Sequence, residues 1–526
     1  MPEQVKNLPL VLLILDGWGI AAPSRGNAFS AGTAPFFGQL TREYQTFSLA
    51  AAGEAVGLPW GEAGNSEVGH LNLGAGRIVY QEVLKINKSI ENGTFFDNEI
   101  LSGAIANCKQ HNSSLHLLGI VSDGGVHGHQ DHLYALLELA ARSGLRRVYV
   151  HVFLDGRDTP FSSGLGYVQS LERVMQRLGV GKIATISGRF YAMDRDNHWD
   201  RIESVYRAMV RLEAKEYDSA TAAIEASYNE KVFDEEFVPC VIKSGETELP
   251  SRVQPGDSAI FFNYRPDRAR QIAKAFVLPT MPKFNRGAAL TNLYFVTLTE
   301  YEPDLPVKVA FKKETVDYPI ARVWSEAGLT QLHIAETEKY AHVTYFFNGG
   351  KDIVFPGQEN VIVPSLGVAS YADRPEMSAS EITEKVIAAL ERNTHHCLVA
   401  NLANADMVGH TGNLRATQLA LGIVDQNLKR IAAAVIKRDG TLIITSDHGN
   451  AEEKVNWESG RIVKEHTANP VPCVLVGESF KLIPPRGDNF ELHKLAVSGV
   501  LSDVAATALS VIGLKRPEAM TSHSLI

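Results

Sequence analysis

The sequence predicts an α/β protein with two domains, each a largely parallel sheet flanked by helices. Short apolar runs alternate along the chain with helix-like stretches, as in parallel sheets whose strands are connected by helices. Almost every run leads directly into a polar, charged or glycine-rich segment, and ligands of open parallel sheets gather at such strand ends. The predicted strands are 10–15, 115–121, 147–154, 182–186, 259–263, 293–298, 396–402, 441–445 and 471–476.

Two helices carry their own sequence signals. Ser378 followed by Glu381 forms a capping box, which predicts a helix that runs to Arg392. Apolar residues recur at steps of three and four over 421–435, and the helix is expected to end before Gly440.

Composition limits the classes of function. The chain has 526 residues, enough for two or three domains, and 45% hydrophobic with 21% charged residues is ordinary for a soluble globular protein. A net charge of −9 argues against nucleic acid as the main partner. No run approaches the ~20 apolar residues of a membrane span.

The cysteines indicate a reducing compartment. Cys108, Cys240, Cys397 and Cys473 are far apart and form no C-x-x-C pair, so a disulfide framework is not expected. The chain is therefore expected to be a cytoplasmic protein.

Six side chains of metal-ligand type lie at predicted strand ends or in short motifs. Taken singly, each has a structural reading as a turn aspartate or a buried histidine. Together they form a mixed carboxylate and imidazole set, which suits Mn²⁺ or Zn²⁺ and accommodates Co²⁺ or Mg²⁺. The six are Asp16, Asp406, His410, Asp447, His448 and His466.

A serine accompanies this set. Ser66 lies between Gly64 and Gly69, and small flanking residues allow a phosphate to approach closely. A hydroxyl beside two divalent cations ionises at neutral pH and attacks phosphorus, whereas the plain alternative is a glycine-rich turn. The whole set predicts a two-metal phosphoryl-transfer site.

The spacing of these residues predicts the domain layout. Asp16 and Ser66 lie near the start of the chain, whereas the other candidates fall between Asp406 and His466. A single site needs both ends of the chain in one discontinuous domain, predicted as 1–80 with 314–526. The segment 81–313 would then be an inserted, substrate-binding domain.

The predicted insert contains arginine pairs that follow strands. Pro266 is a good first helical residue, so Arg265 and Arg268 are expected at a helix N-terminus, which attracts anions. Guanidinium groups bind phosphate or carboxylate through paired hydrogen bonds, although arginines on solvated helix faces are the default reading. The candidates for an anionic substrate are Arg157 with Asp158, Arg189 with Arg195, and Arg265 with Arg268.

A histidine-rich segment offers a second possible metal site. His127, His129 and His132 lie close to Asp123 and Asp131 in a glycine-containing loop. Such spacing occurs in metal ligation, but a loop histidine that contacts substrate fits the pattern equally well.

Four motifs together resemble the signatures of cofactor-independent phosphoglycerate mutases, a family of the alkaline phosphatase superfamily. The resemblance spans essentially the whole chain. It implies an alkaline-phosphatase-like domain with two divalent metals, usually Mn²⁺ and in some members Mg²⁺ or Co²⁺, and an inserted transferase domain. The motifs are LILDGWG at 13–19, GNSEVGH at 64–70, FLDGRDT at 153–159 and TSDHGN at 445–450.

The resemblance also implies residue roles. Asp406, His410 and His466 would bind one ion, and Asp16, Ser66, Asp447 and His448 the other. Ser66 would carry a phosphoserine during interconversion of 3-phosphoglycerate and 2-phosphoglycerate, without 2,3-bisphosphoglycerate, and the enzyme would be a monomer. Asp158 would be the general acid and base for the glycerate hydroxyls, and Lys339 would neutralise charge on the transferring oxygens. The substrate would be held by His127, Arg157, Asp158, Arg189, Arg195, Arg265, Arg268 and Lys339.

Three other functions remain open at this point. A metal-dependent phosphatase or a phosphopentomutase of the same superfamily would use a similar metal set, although a pentose gives the arginines less to bind. A catalytically silent metal-binding scaffold predicts loss of Ser66 or of a metal ligand, and none is lost.

Overall fold

The computed structural model describes residues 5–243, 252–456 and 459–526. Strands and helices alternate along most of this chain, as the apolar runs indicated. The strands are β1 Leu10–Leu15, β2 Gln45–Ala50, β3 Leu115–Ile120, β4 Val148–Leu154, β5 Lys182–Gly188, β6 Lys215–Tyr217, β7 Cys240–Ile242, β8 Ser258–Phe261, β9 Tyr294–Thr297, β10 Lys308–Val309, β11 Gln331–Glu336, β12 Gln358–Val363, β13 Cys397–Leu402, β14 Thr441–Thr445, β15 Val471–Val476 and β16 Val497–Val500.

The α-helices cover the faces of the sheets. They are α1 Pro35–Glu43, α2 Ser66–Ala75, α3 Glu82–Glu91, α4 Glu99–His111, α5 Gln130–Arg142, α6 Gly164–Leu178, α7 Arg189–Ala192, α8 Trp199–Arg211, α9 Ala220–Asn229, α10 Arg270–Val277, α11 Ile320–Glu326, α12 Ala379–Arg392, α13 Asn404–Gly409, α14 Leu414–Ile436 and α15 Asp503–Ile512.

The chain divides into two compact units. Unit 1 consists of Met1–Leu84 and Glu314–Ile526, and unit 2 is the continuous segment Lys85–Lys313. Each unit contains its own sheet of eight strands.

The sheet of unit 1 has the order β12-β11-β13-β1-β14-β15-β2-β16. Strand β1 is central and pairs in parallel with β13 and β14, while β15 is antiparallel to both of its neighbours. Every residue of β1 is buried, because helices cover both faces of the sheet. A fully apolar strand is the expected result of burial on both faces.

The sheet of unit 2 has the order β10-β9-β8-β3-β4-β5-β7-β6. Its pairings are parallel except for that of β5 with β7. Strand β3 is fully buried in the middle of the sheet. The α/β architecture with two largely parallel sheets is thus confirmed.

All nine predicted strands are present, with ends within two residues of the prediction. Two local predictions are wrong. The Ser378 hydroxyl donates to the Pro364 carbonyl, and the Ser378 N–H donates to Glu336, so helix α12 begins without the capping box that Glu381 suggested.

The helix predicted to begin at Pro266 begins at Arg270 instead. Residues 266–269 form a turn, in which the N–H groups of Ala269 and Arg270 both donate to the Pro266 carbonyl. Arg265 and Arg268 therefore lie ahead of the helix, in the connection that leaves β8.

The four cysteines Cys108, Cys240, Cys397 and Cys473 are buried free thiols. Within the described ranges, no helix is both long and apolar enough to cross a membrane.

Candidate active site

Three neighbouring strands of unit 1 deliver acidic side chains to one place. Asp16 directly follows β1, Asp447 follows β14, and Asp406 lies in helix α13 just after β13. Because these strands are adjacent and parallel, their carboxyl ends lie side by side. Ser66 is the first residue of α2, whose N-terminus is capped by the side chain of Asn65.

The hydroxyl of Ser66 lies among groups that bind or neutralise charge. Its oxygen is 2.9 Å from His448 Nε2 and 3.4 Å from Asp16 Oδ1. The ammonium of Lys339 donates to the same oxygen at 2.7 Å. Ser66 is 6% exposed and lines a surface pocket together with Lys339 and Asp406.

A carboxylate and two imidazoles form the neighbouring group. Asp406 Oδ1 lies 3.2 Å from Nε2 of both His410 and His466, and the two ring nitrogens are 3.0 Å apart. Each ring is held from its other side, since Nδ1 of His410 and of His466 bonds a backbone carbonyl. Fixing the second nitrogen in this way orients a ring for metal binding.

The structure thus brings together every side chain predicted to bind metal. Within this cluster, two sets of donor atoms are compact enough to surround an ion. His448 belongs to the set of Asp406 and also lies 3.5 Å from Asp16 and from Asp447, so it borders both sets. The sets are Asp406 with His448 and His466, and Asp16 with His70 and Asp447.

The charge balance of the cluster favours a bound cation. The carboxylates of Asp16, Asp406 and Asp447 are buried, and the only ammonium that contacts them in the described structure is that of Lys339. Oδ2 of Asp447 is buried without a hydrogen bond. Buried anions need a counter-charge, so the donor set fits divalent cations.

The pKa shifts follow from the same charges. Burial and the neighbouring Asp447 raise the pKa of Asp16. Burial also disfavours the charged form of Asp406, but Lys339 and the hydrogen bonds from His410 and His466 hold its pKa well below the ordinary value. The pKa of Lys339 is raised, because the surrounding carboxylates outweigh its burial.

Two residues beside the cluster were missed from sequence. His70 Nδ1 lies 2.9 Å from the Ser66 carbonyl oxygen and 3.2 Å from Asp447 Oδ2. Asn401 donates to Asp16 Oδ2 at 2.7 Å and lies 3.0 Å from His70 Nε2. Two sequence signals could have identified these residues. His70 lies in the same motif as Ser66, and Asn401 is an amide inside an otherwise apolar strand.

Unit 2 contains the predicted arginine residues. His127, Arg157, Arg189 and Arg265 follow β3, β4, β5 and β8 respectively, and these four strands are neighbours in the sheet. Their side chains therefore share the carboxyl edge of one parallel sheet. We refer to the group formed by His127, Arg157, Asp158, Arg189, Arg195, Arg265 and Arg268 as the arginine cluster.

Arg189 is the buried centre of this cluster. Its guanidinium donates to Asp155 at 2.6 Å and to Asp158 at 2.5 Å, and the side chain is 3% exposed. His127 Nε2 lies 3.9 Å from the same Asp158 oxygen. Burial and the charge of Arg189 lower the pKa of His127 to about 4, so the ring is neutral at pH 7.

The other arginines are more accessible. Arg195 and Arg265 flank Asp267 at 3.1 and 3.2 Å and are about half exposed, and Arg157 lies 3.3 Å from Glu235. Burial and repulsion by the neighbouring arginines lower the pKa of Arg268. Several positive guanidinium groups held close together repel one another, and a bound anion would relieve this repulsion.

The histidine-rich segment does not form a third group of metal ligands among the described residues. His129 Nδ1 accepts from the Asp131 N–H, at the N-terminus of α5. His132 is buried and pairs with Asn87 at 2.7 Å. The three histidines face different partners, and only His127 joins the arginine cluster.

Comparison with known proteins gives a consistent result. The sequence profile described as the N-terminus of BPG-independent PGAM matches residues 86–303, which lie in unit 2. A crystal structure of Leishmania mexicana phosphoglycerate mutase at low cobalt concentration is similar with a TM-score of 0.58 and 29% identity. That match covers 99% of this chain and 98% of the other.

Relatives with a higher identity match over their whole length. The 2,3-bisphosphoglycerate-independent phosphoglycerate mutase of Chloroflexus aurantiacus is 47% identical over 538 residues, which cover 98% of each chain. The enzyme of the same name from Moorella thermoacetica is 47% identical over 520 residues, covering 99% of this chain and 98% of that protein. The chain belongs to the family of 2,3-bisphosphoglycerate-independent phosphoglycerate mutases.

Proposed function

We propose that this chain is an isomerase that interconverts 3-phosphoglycerate and 2-phosphoglycerate through a phosphoserine at Ser66, without 2,3-bisphosphoglycerate. The observation that carries this proposal is the position of Ser66. Its hydroxyl lies within hydrogen-bonding reach of Asp16, His448 and Lys339 in a buried, carboxylate-rich cluster. The names of the full-length relatives supply the substrate.

Two divalent ions are the proposed cofactors, with Mn²⁺ first and Mg²⁺ or Co²⁺ as alternatives. Asp406, His410 and His466 would hold one ion, and Asp16, Ser66, Asp447 and His448 the other. The mixture of carboxylates and imidazoles supports an ion of intermediate softness. The Leishmania mexicana relative was crystallised at low cobalt concentration, which supports such a metal. Bound there, the ions would lower the pKa of a hydroxyl and neutralise charge on a phosphoryl group.

Ser66 is the proposed nucleophile. Its oxygen forms a bond to phosphorus while the bond from phosphorus to the 3-oxygen of the substrate breaks. The Ser66 hydroxyl proton passes to solvent, and the 3-oxygen takes a proton from Asp158, the proposed general acid. Lys339 donates to the Ser66 oxygen at 2.7 Å, so its charge opposes the negative charge that develops during transfer. In the second half-reaction the 2-hydroxyl of glycerate gives its proton to Asp158 and attacks phosphorus. The bond from phosphorus to the Ser66 oxygen breaks, and Ser66 takes a proton from solvent.

The arginine cluster is the proposed binding site for the substrate's anionic groups. Arg157, Arg195 and Arg265 have exposed guanidinium groups, and Arg268 lies beside them. Neutral His127 can exchange hydrogen bonds with the glycerate. Asp158 is the proposed general acid and base for the glycerate hydroxyls, and Arg189 orients it through the 2.5 Å contact.

The wider setting is also proposed. A small-molecule substrate, a net charge of −9 and free buried cysteines support a cytoplasmic protein that binds neither nucleic acid nor membrane. The resemblance to the family is what suggests a monomer. Its place is in glycolysis and gluconeogenesis, where the two phosphoglycerates are exchanged.

An enolase-coupled assay tests the proposal. The protein is treated with EDTA, supplied again with Mn²⁺, and given 3-phosphoglycerate with no 2,3-bisphosphoglycerate. We expect turnover to depend on the metal and to be absent in Ser66→Ala. Because Ser102 is remote from the cluster in sequence and lies in unit 2, Ser102→Ala is the matched control and should keep full activity.

The other outcomes point to other functions. Release of free phosphate without 2-phosphoglycerate would indicate a phosphatase. Isomerisation of a pentose phosphate in place of phosphoglycerate would indicate a phosphopentomutase. Binding of Mn²⁺ with no turnover of either substrate would indicate the silent scaffold.

A further inference from the structure

A buried polar chain lies behind Asp406. It contains Asn450, the last residue of the TSDHGN motif, and Lys454, and the proposed mechanism gives neither residue a role. Lys454 Nζ donates to Asn450 Oδ1 and, at 3.1 Å, to the carbonyl of Gly409. Asn450 Nδ2 in turn donates to Asp406 Oδ1 at 2.8 Å. That oxygen is the one that faces His410 and His466.

The ammonium fixes which way the Asn450 amide points. Lysine has donors only, so the amide must present its oxygen to Lys454 and its NH₂ group to Asp406. Both side chains are 0% exposed, so water does not compete for these bonds. Without the ammonium the amide could turn over and place its oxygen against the Asp406 carboxylate.

A second arm starts from Glu452, which is 1% exposed. Its carboxylate accepts from the Asn450 N–H at 2.9 Å, from the Thr467 hydroxyl and from Asn469 Nδ2 at 3.0 Å. Thr467 follows His466 directly, and its backbone pairs with that of Gly449. The arm therefore ties the segment that carries His466 to the segment that carries His448.

Three glycines leave the space that this network occupies. A Cβ atom on Gly409 would lie 2.4 Å from Asn450 Oδ1, and one on Gly19 would lie 2.2 Å from the Glu452 carboxylate. On Gly449 it would lie 2.3 Å from Thr467 Oγ1. Non-bonded atoms do not approach this closely, so any residue with a Cβ atom at these three positions would displace part of the network. Glycine at each of them leaves the network its space.

Stability alone is a weak reason to bury these charges. Two buried ionic groups cost desolvation, and apolar residues of similar volume often do as well or better. Burial lowers the pKa of Lys454 to about 8, although the nearby carboxylates of Glu452 and Asp406 favour its charge. The members of the network form hydrogen bonds with one another, and the last bond reaches the candidate metal ligand Asp406. The effect of the network is therefore expected at Asp406.

We propose that Lys454 and Asn450 are positioning residues that aim Asp406 Oδ1 at the His410 and His466 side of the cluster, with Glu452 and Thr467 fixing the segment of His466. This inference rests on the proposed metal site. Partners of this kind orient the ligands of metals in proteins, and their loss typically weakens binding about 10- to 100-fold.

Metal titration of the full chain tests the proposal with a readout other than activity. Metal-free wild type, Asn450→Ala, Lys454→Met and Thr467→Val are titrated with Mn²⁺ by calorimetry and with Co²⁺ by visible absorption. In each variant we expect one ion to bind about 10- to 100-fold more weakly, with a changed Co²⁺ spectrum. The other ion, held by Asp16 and Asp447, should bind as in wild type.

The matched control is Asp425→Ala in the same unit. Asp425 is a buried carboxylate that accepts from the N–H groups of Phe36 and Phe37, at 3.0 and 2.7 Å, and has no contact with the metal cluster. It should lower the melting temperature and leave both metal affinities unchanged.

The outcomes separate this inference from the proposed function. Wild-type chain that binds no Mn²⁺ would contradict the proposed function. Wild-type binding with unchanged affinities and spectra in folded Asn450→Ala and Thr467→Val would overturn the positioning role. The positioning role would also be overturned if Asp425→Ala, at an equally lowered melting temperature, lost as much metal affinity as these variants. Destabilisation of the protein alone would then explain the loss. If Lys454→Met does not fold, Asn450→Ala decides the orientation of Asp406, and Thr467→Val decides the position of the His466 segment.

Discussion

The ammonium nitrogen of Lys339 lies 2.7 Å from the hydroxyl oxygen of Ser66. The same nitrogen is 2.8 Å from Asp16 Oδ1 and 2.7 Å from Asp406 Oδ2. One buried cation thus joins the proposed nucleophile to a carboxylate of each proposed metal group. Lys339 lies on no motif of its own, so this link is a result of the fold.

Replacing Lys339 should affect both catalysis and stability. Lys339→Met removes a charge that would face the transferring phosphoryl group, and we expect kcat to fall about 10²- to 10³-fold. The metal-free variant should lose about 3 kcal/mol or more of unfolding free energy, since the buried carboxylates of Asp16 and Asp406 are left without their ammonium. Added Mn²⁺ should restore part of this loss. Enolase-coupled rates and urea unfolding with and without Mn²⁺ measure these effects.

Lys351→Met is the control for that experiment. Lys351 pairs with Asp317 at the surface, and such pairs contribute little. Equal effects of the two substitutions on kcat would argue against a role of Lys339 in charge neutralisation.

Arg157 should contribute to substrate binding more than to the chemical step. Its guanidinium is 57% exposed and bonds only loosely to Glu235. Hydrogen bonds to charged groups are worth about 1.5–3 kcal/mol, so Arg157→Ala should raise KM for 3-phosphoglycerate about 10- to 100-fold. Steady-state kinetics measure the change. Arg142→Ala, a surface residue of the same unit paired with Glu138, should leave KM unchanged, and a normal KM in Arg157→Ala would remove Arg157 from the binding site.

Arg189 should be required for the integrity of unit 2. Its removal in Arg189→Met leaves the buried Asp155 carboxylate and Asp158 without their partner, a loss of about 3–5 kcal/mol. Hydrogen exchange in β4 and β5 should accelerate strongly. The exposed Arg157, changed to Met, is the control and should leave exchange in both strands as it was. Unchanged exchange in Arg189→Met would mean that Arg189 serves the substrate alone.

His132 should make the stability of the protein depend on pH. Burial lowers its pKa to about 3, against about 6.5 in an unfolded chain. Between these values the unfolded state binds the additional proton, so stability falls as pH decreases from 6.5 toward 3, by about 1.4 kcal/mol per pH unit.

Unfolding by urea at pH 7, 6 and 5 measures this slope. In His132→Gln the slope should be smaller by the contribution of one proton, which is about 1.4 kcal/mol per pH unit. His129 is partly exposed, so His129→Gln should leave the slope unchanged. Equal slopes in wild type and His132→Gln would contradict the buried neutral state of His132.

The strands that the sequence predicted correctly are mostly apolar, with only single polar residues such as His116 and Asn401 inside them. Strand β11 was missed because Gln331, His333 and Glu336 break that pattern, although all three are buried. Their polar atoms are satisfied by partners distant in the chain, such as the Val343 carbonyl for His333. A local pattern contains no information about such partners.

The same distinction applies to the candidate site. Nearby glycines and predicted strand ends indicate in the sequence that Asp16, Ser66 and Asp447 are candidate site residues. Asn401 and Lys454 have no local signal, since an amide in a strand and a lysine in a polar segment are ordinary in sequence. Their roles arise only when β1, β13 and β14 lie side by side. The start of α10 was misplaced because the segment before it is held by contacts to the His127 carbonyl.

The central position of β1 has a consequence for biosynthesis. Leu10–Leu15 leaves the ribosome long before the two strands that pair with it, Cys397–Leu402 and Thr441–Thr445, are translated. Because translation adds about 5–20 residues per second, β1 remains without its partner strands for tens of seconds. The continuous unit 2 is complete well before then. The nascent chain therefore exposes an apolar hexapeptide beside a finished domain, and this hexapeptide is the segment that a chaperone would be expected to shield.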